Sequence, residues 1–153
     1  MVEFQPIGVV HTPIKKKTDA PIQPAFSSLS GQVEIFPEYS DGLMEIEGFS
    51  HIWILYLFHE SQGYELHAMP YLGEKERGIF ACRAPRRPNP IGMSLLKLDS
   101  REGNVLNVRN VDMLDGTPLL DIKPHVREFD HAQDPDIGWL EGRVQNGKDA
   151  KGW

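Results

Sequence analysis

Three arginines within five positions, Arg83, Arg86 and Arg87, share the stretch GIFACRAPRRPNPIGMS, residues 78–94, with three prolines. A guanidinium is a planar, permanently charged fork suited to carboxylates and phosphates. Pro85, Pro88 and Pro90 fix φ and remove backbone donors, which excludes helix and central strand. A loop this stiff loses little conformational entropy when it holds a charged ligand. Asn89 adds two amide donors and a carbonyl acceptor. A second polar segment, DMLDGTPLLDIKPH at 112–125, supplies Asp112, Asp115, Asp121 and Lys123. Together the segments offer an anion-binding side (Arg83, Arg86, Arg87, Lys123) and a carboxylate side able to face a cation or accept a proton. The plainer readings are a solvated proline turn, a tight turn at Asp115-Gly116 and an exposed Asp121–Lys123 pair of little energetic worth.

Other chemistries find no support. Neither a G-x-G-x-x-G after a strand nor a P-loop is present. The six histidines have no close-set ligand spacing, and the lone Cys82, within an apolar run, reads as a buried inert thiol, so no metal site is expected. Ser27, Ser28 and Ser30 lack a nucleophile-elbow context. The single cysteine, the missing signal-peptide core and the absence of a membrane-length apolar run predict a soluble protein of a reducing compartment, the cytoplasm. The net charge of −6 argues against a generic nucleic-acid coat protein. Its distribution is uneven: residues 18–74 carry nine acids and no Lys or Arg, and the remainder holds all 16 bases against 13 acids. A polyanion could therefore dock locally on the basic part.

The elements that must position these groups are short. Residues 6–11 read as a strand, followed by a long loop with Lys15-Lys16-Lys17, Pro21 and Pro24. Gln32 to Phe36 alternates as a half-buried strand. Ser40 or Asp41 is expected to cap a short helix with Leu43, Met44 and Ile46 inward. HIWILYLF at 51–58 is continuously apolar and predicts a central strand buried on both faces. An apolar strand should lead into the arginine loop, and others follow at 93–98, 105–111 and 119–122, with a hairpin turn at Glu102-Gly103. Trp139 and Trp153 are expected to pack back on the body. The expectation is a mainly β, single-domain barrel over residues 1–153, with one short helix, long functional loops and a polar extension after 125.

The motif GIFACRAPRRPNPIGMS, followed about twenty residues on by VDMLDGTPLLDIKPH, resembles the TsaA-like family. FQPIGVVHTP at 4–13, PIQ at 21–23 and GLMEIEGFSHIWILYLFHE at 42–60 extend the resemblance over residues 4–125. It implies a β-barrel methyltransferase that uses S-adenosylmethionine, acts on N6-threonylcarbamoyladenosine beside the tRNA anticodon, and forms a homodimer with the cofactor near the interface. Carried over by position, cofactor contacts fall on Pro21, Ile22, Gln23, His59, Glu60, Arg83, Met93 and the run Leu114, Asp115, Gly116, Thr117. Arg86, Arg87, Asn89 or Lys123 would hold the substrate's carboxylate or flanking phosphates. Asp115 or Asp121 would accept the proton displaced from nitrogen. Two other uses of the scaffold stay open: methylation of a small metabolite, and a non-catalytic adaptor for RNA or protein.

Overall fold

Alternation of apolar residues produces the barrel. A computed structural model of the chain describes residues 1–144. Six strands close in the order β1-β2-β7-β6-β3-β8: Gly8–His11, Ser30–Ile35, Val105–Arg109, Ile91–Glu102, His51–Leu57 and Thr117–Pro124. Every pairing in it is antiparallel. Inward positions supply one core, with Val10, Val33, Ile52, Ile54, Leu96, Leu106 and Leu119 fully buried. Register shifts at Leu55/Tyr56 on β3 and at Leu98/Ser100 on β6 bend these strands as closure requires. Outside the barrel, β4 (His67–Ala68) and β5 (Arg77–Gly78) form a small ribbon.

Three local expectations are corrected. β3 is buried on one face only: Ile52, Ile54 and Tyr56 point inward, whereas Trp53, Leu55 and Leu57 are half-exposed. A small closed barrel has a single interior, so an unbroken apolar run here means an apolar outer surface, not a second core. The helix expected at 41–48 is two 3-10 turns, Pro37–Leu43 and Ile46–Gly48. Pro37 opens the first turn, no side chain caps it, and Ser40 Oγ donates to the Pro37 carbonyl instead. Glu45 interrupts at φ 71°, turning Met44 out to solvent while Leu43 stays buried. The short α-helix lies later, at Arg127–Asp130 (α1). Finally, residues 79–81 form a 3-10 turn where a strand was expected.

In the extension after residue 125, Trp139 packs back on the body. Trp139 Nε1 donates to the Ala81 carbonyl at 2.8 Å, and the Arg77 guanidinium lies 5.3 Å from the indole centroid. Trp153 lies outside the described residues. Among the described residues, no helix is long and apolar enough to cross a membrane.

The topology fixes where the arginine loop sits. Phe58, just past β3, donates its N–H to the Pro90 carbonyl, just before β6, at 2.8 Å. Residues 83–90 are thereby held over the end of the barrel where β3 leaves and β6 enters. The approach to β8 reaches the same end.

Candidate functional site: a cleft over one barrel end

A cleft of about 790 Å³ opens at this end of the barrel. Tyr56 and Gly92 belong to its floor; residues 17–23, 68–71, 83–87 and 112–117 contribute walls. This size is ordinary for a small-molecule site, roughly 300–1,000 Å³. Gly92 is required by packing: a Cβ there would run into the Tyr56 ring. Tyr56 also meets Phe58 edge-on, with ring centroids 5.4 Å apart.

The three arginines have separate tasks. Arg87 Nη1 donates to the carbonyls of Cys82 (2.8 Å) and Ala84 (3.2 Å), stapling its own loop. Arg86 ties the loop to the neighbouring segment through Glu65 Oε1 at 2.7 Å and the Gln62 carbonyl at 3.3 Å. Arg83 Nη1 donates to Gln23 Oε1 at 2.7 Å, a neutral partner, and Arg83 has no ion pair among the described residues. Lys17 Nζ reaches the Glu60 carbonyl at 3.1 Å and joins the lysine loop to the strand exit. Cys82 is buried, donates to the Gly78 carbonyl at 3.4 Å, and has its thiol pushed up in pKa by burial, as an inert structural thiol should.

Beneath the arginines lies a buried polar chain. Ser94 Oγ donates to Asp112 Oδ1 at 2.6 Å, and Tyr56 Oη lies 3.0 Å from Ser94 Oγ. Because the one serine proton goes to the carboxylate, the tyrosine must donate to the serine. Burial pushes the Asp112 carboxyl up to about 7, with the Ser94 hydrogen bond, its own backbone amide and the Arg83 charge pulling the other way. Burial, then the nearby Asp112 charge, raises Tyr56 far above its ordinary value and keeps it a donor. Asp112 and Tyr56 both line the cleft.

The expected site residues divide sharply. Ile22, Gln23, His59, Glu60, Arg83, Met93, Leu114 and Thr117 line the cleft, as do Arg86 and Arg87. Pro21, Asn89, Asp115, Gly116, Asp121 and Lys123 lie outside its lining. Asp115 and Gly116 form the turn between two lining residues, with Gly116 at φ 82°. The Asp115 carboxylate points to the β1 exit, where Oδ1 accepts from the Thr12 amide at 3.0 Å and Oδ2 from Lys15 Nζ at 2.7 Å. Those two bonds, Lys15 first, hold it below the usual carboxylate range. Asp121 and Lys123 pair with each other at 3.0 Å and stand across from Leu55 and Trp53, on the outside of the barrel. The sequence marks Asp112 only as one acid of the second polar segment, and it assigns no role to Ser94 or Tyr56. Their signal was present in the alternation: Ser94 shares the inward register of Gly92, Leu96 and Leu98, and Tyr56 that of Ile52 and Ile54.

The family model for the tRNA-methyltransferase O N-terminal domain matches residues 9–131. The chain belongs to this family. The matched residues include both motif segments, 78–94 and 112–125. A probable S-adenosyl-L-methionine-binding protein of Pyrococcus abyssi is 52% identical over 145 residues, covering 94% of this chain and 79% of that one. The tRNA (adenine(37)-N6)-methyltransferase of Escherichia coli is 38% identical over 135 residues, 81% of this chain and 57% of that protein. Among solved structures, TrmO from Pseudomonas aeruginosa superposes with a TM-score of 0.76 at 34% identity, over 91% of this chain and 62% of that one. The chain thus spans less than two thirds of these last two family members.

Proposed function

We propose that this chain is an S-adenosylmethionine-dependent methyltransferase domain that methylates N6 of threonylcarbamoyladenosine beside the anticodon of tRNA. The observation that carries the reading is the cleft itself. Its motif loops converge over one barrel end, where an arginine without an ion pair among the described residues and a buried carboxylate face the same space. The names of relatives as S-adenosyl-L-methionine-binding proteins and tRNA methyltransferases support the same reading.

The residues present fit the donor. Apolar Ile22 and Phe58 suit the donor's adenosyl group, Gln23 and Arg83 suit the donor's carboxylate, and Asp112 is a buried acid on the cleft lining. When bound, the donor supplies an electrophilic methyl group on a sulfonium. The protein's share is to align an amide-like, weakly nucleophilic nitrogen with that carbon and to exclude water, and alignment alone is worth several powers of ten in rate. Lys17, which lines the cleft and donates to the neutral Glu60 carbonyl, provides positive charge for the acceptor's carboxylate and tRNA phosphates. Exposed Leu66, Met69 and Phe80, together with Ile91 and Met93 at the cleft edge, favour pairing of two copies beside the cofactor. A tRNA acceptor makes the working compartment the cytoplasm.

Incubation with labelled S-adenosylmethionine and total tRNA, followed by nucleoside analysis, tests the reading. Label is expected in the N6-methylated threonylcarbamoyladenosine; label confined to small molecules would refute the tRNA acceptor. Arg83→Ala should abolish cofactor binding and leave thermal melting unchanged, and normal binding by this variant would displace the cofactor from the cleft.

A further inference from the structure

We propose that Asp112, aligned by the Ser94 and Tyr56 hydroxyls, both reads the positive charge of the methyl donor and takes up the proton that the acceptor nitrogen loses. This rests on the methyltransferase reading of the cleft. Its basis is the contrast among the carboxylates nearby. Asp115 is neutralised by Lys15, Glu65 by Arg86 and Asp121 by Lys123. Asp112 is 8% exposed, lines the cleft and has no ion-pair partner among the described residues. Glu60 also lines the cleft, but it is exposed, so water already stabilises its charge.

A buried carboxyl without a partner is stable neutral and becomes stable ionised when a cation arrives. The charged or titratable groups facing Asp112 among the described residues are Tyr56 of β3, a neutral donor, and Arg83 of the loop. Ser94 of β6 adds an uncharged hydroxyl. None of these is an acid that would compete for the cation or the proton.

The chemistry balances with Asp112 as acceptor. A nitrogen–carbon bond forms at the acceptor, and the donor's carbon–sulfur bond breaks with its electron pair staying on sulfur. The nitrogen's proton passes to the Asp112 carboxylate, giving the carboxylic acid. The cleft begins with a cation beside a carboxylate and ends with a neutral thioether beside a neutral acid. No charge is stranded in the buried site at either stage, and the cation-binding form of Asp112 is gone when the product must leave.

The sign of the pH dependence follows. Asp112 is neutral below about 7 in the free protein. Donor binding at about pH 6 must therefore expel a proton, and donor affinity must rise with pH until about 7 and then level. The neutral thioether product shows neither effect.

Calorimetry at about pH 6 in two buffers of different ionisation enthalpy, with S-adenosylmethionine and S-adenosylhomocysteine in turn, reads this directly. The wild-type chain should release roughly one proton with the donor and none with the product. Asp112→Asn should release none with either and lose about tenfold or more of the preference for donor over product. Glu60→Gln should keep the release. Ser94→Ala removes a bond that favours the ionised form, so the pH at which release ceases should move upward. Equal release with both ligands, release retained in Asp112→Asn, or an unmoved midpoint in Ser94→Ala would overturn the assignment. If Asp112→Asn does not fold, the Ser94→Ala midpoint decides alone. Failure of the wild-type chain to bind either ligand would instead refute the methyltransferase reading, and this assignment with it.

Discussion

Asp112 and Asp115 lie three residues apart in one motif and live in opposite surroundings. Asp112 is buried, accepts from a serine hydroxyl and is pushed up to about 7. Asp115 lies at the surface, accepts from an ammonium and a backbone amide, and is held low. The first is destabilised as an anion and is available to a ligand. The second is committed as an anion and fastens the β1 exit to the β8 approach. A motif does not tell which of its acids is reactive; the partners each acid already has do.

The largest expected effect separates the two through stability. A folded carboxyl raised above its unfolded value contributes stability that is lost as pH rises toward the folded value. Asp112→Asn removes that loss. Its stability relative to wild type should therefore climb by about 1.4 kcal/mol per pH unit between the ordinary value of 3.8 and about 7, then stay level. Asp115→Asn should behave oppositely, because a lowered carboxyl contributes stability above its unfolded value and loses it as pH falls. It should be less stable than wild type by about 1 kcal/mol at neutral pH, with the gap closing in acid. Urea denaturation of the three proteins across pH measures both slopes, and parallel slopes would erase the distinction.

Gly92→Ala attacks the buried side alone. The added methyl would strike the Tyr56 ring and force it from Ser94, at an overpacking cost of about 1–3 kcal/mol. Because Asp112 keeps its burial and its serine, the stability slope between 3.8 and about 7 should survive while the midpoint of urea unfolding falls. Loss of the slope would mean that the tyrosine, not burial, sets the state of Asp112.

How much of this was legible in the sequence follows the same division. The barrel's inner faces were readable wherever apolar and polar residues alternate, as in Val33 and Ile35 or Leu106 and Val108. Strand β3 misled because Trp53, Leu55 and Leu57 are apolar on the outer side as well, so the period-two signal vanished. The helix at 41–48 failed for a backbone reason, the left-handed Glu45, which no propensity reveals. In the cleft, the loops carrying Gln23, Arg83 and Thr117 were marked by their motifs. The Tyr56–Ser94–Asp112 chain was only half marked: Ser94 and Asp112 fall within the two motifs, but nothing in the sequence joins them to Tyr56, because strand register and the loop before β8 bring the three segments together. Asp121 and Lys123 are the converse case. Their charges attracted attention, but the pairing with Leu55 and Trp53 turns them away from the cleft.

The smallest effect tests whether Asp115 has a role beyond its turn. Lys15 is two-thirds exposed, at 67%, so its bond to Asp115 is largely screened by water. Lys15→Ala should cost under about 1 kcal/mol, less than Asp115→Asn, because the Thr12 amide still holds the carboxylate. The thioether carries no sulfonium for Asp115 to meet once Lys15 is gone, so S-adenosylhomocysteine affinity should not change. If S-adenosylmethionine affinity rose in Lys15→Ala while that of the thioether stayed constant, Asp115 would be competing for the sulfonium, and the division between the two aspartates would fail at its weaker end.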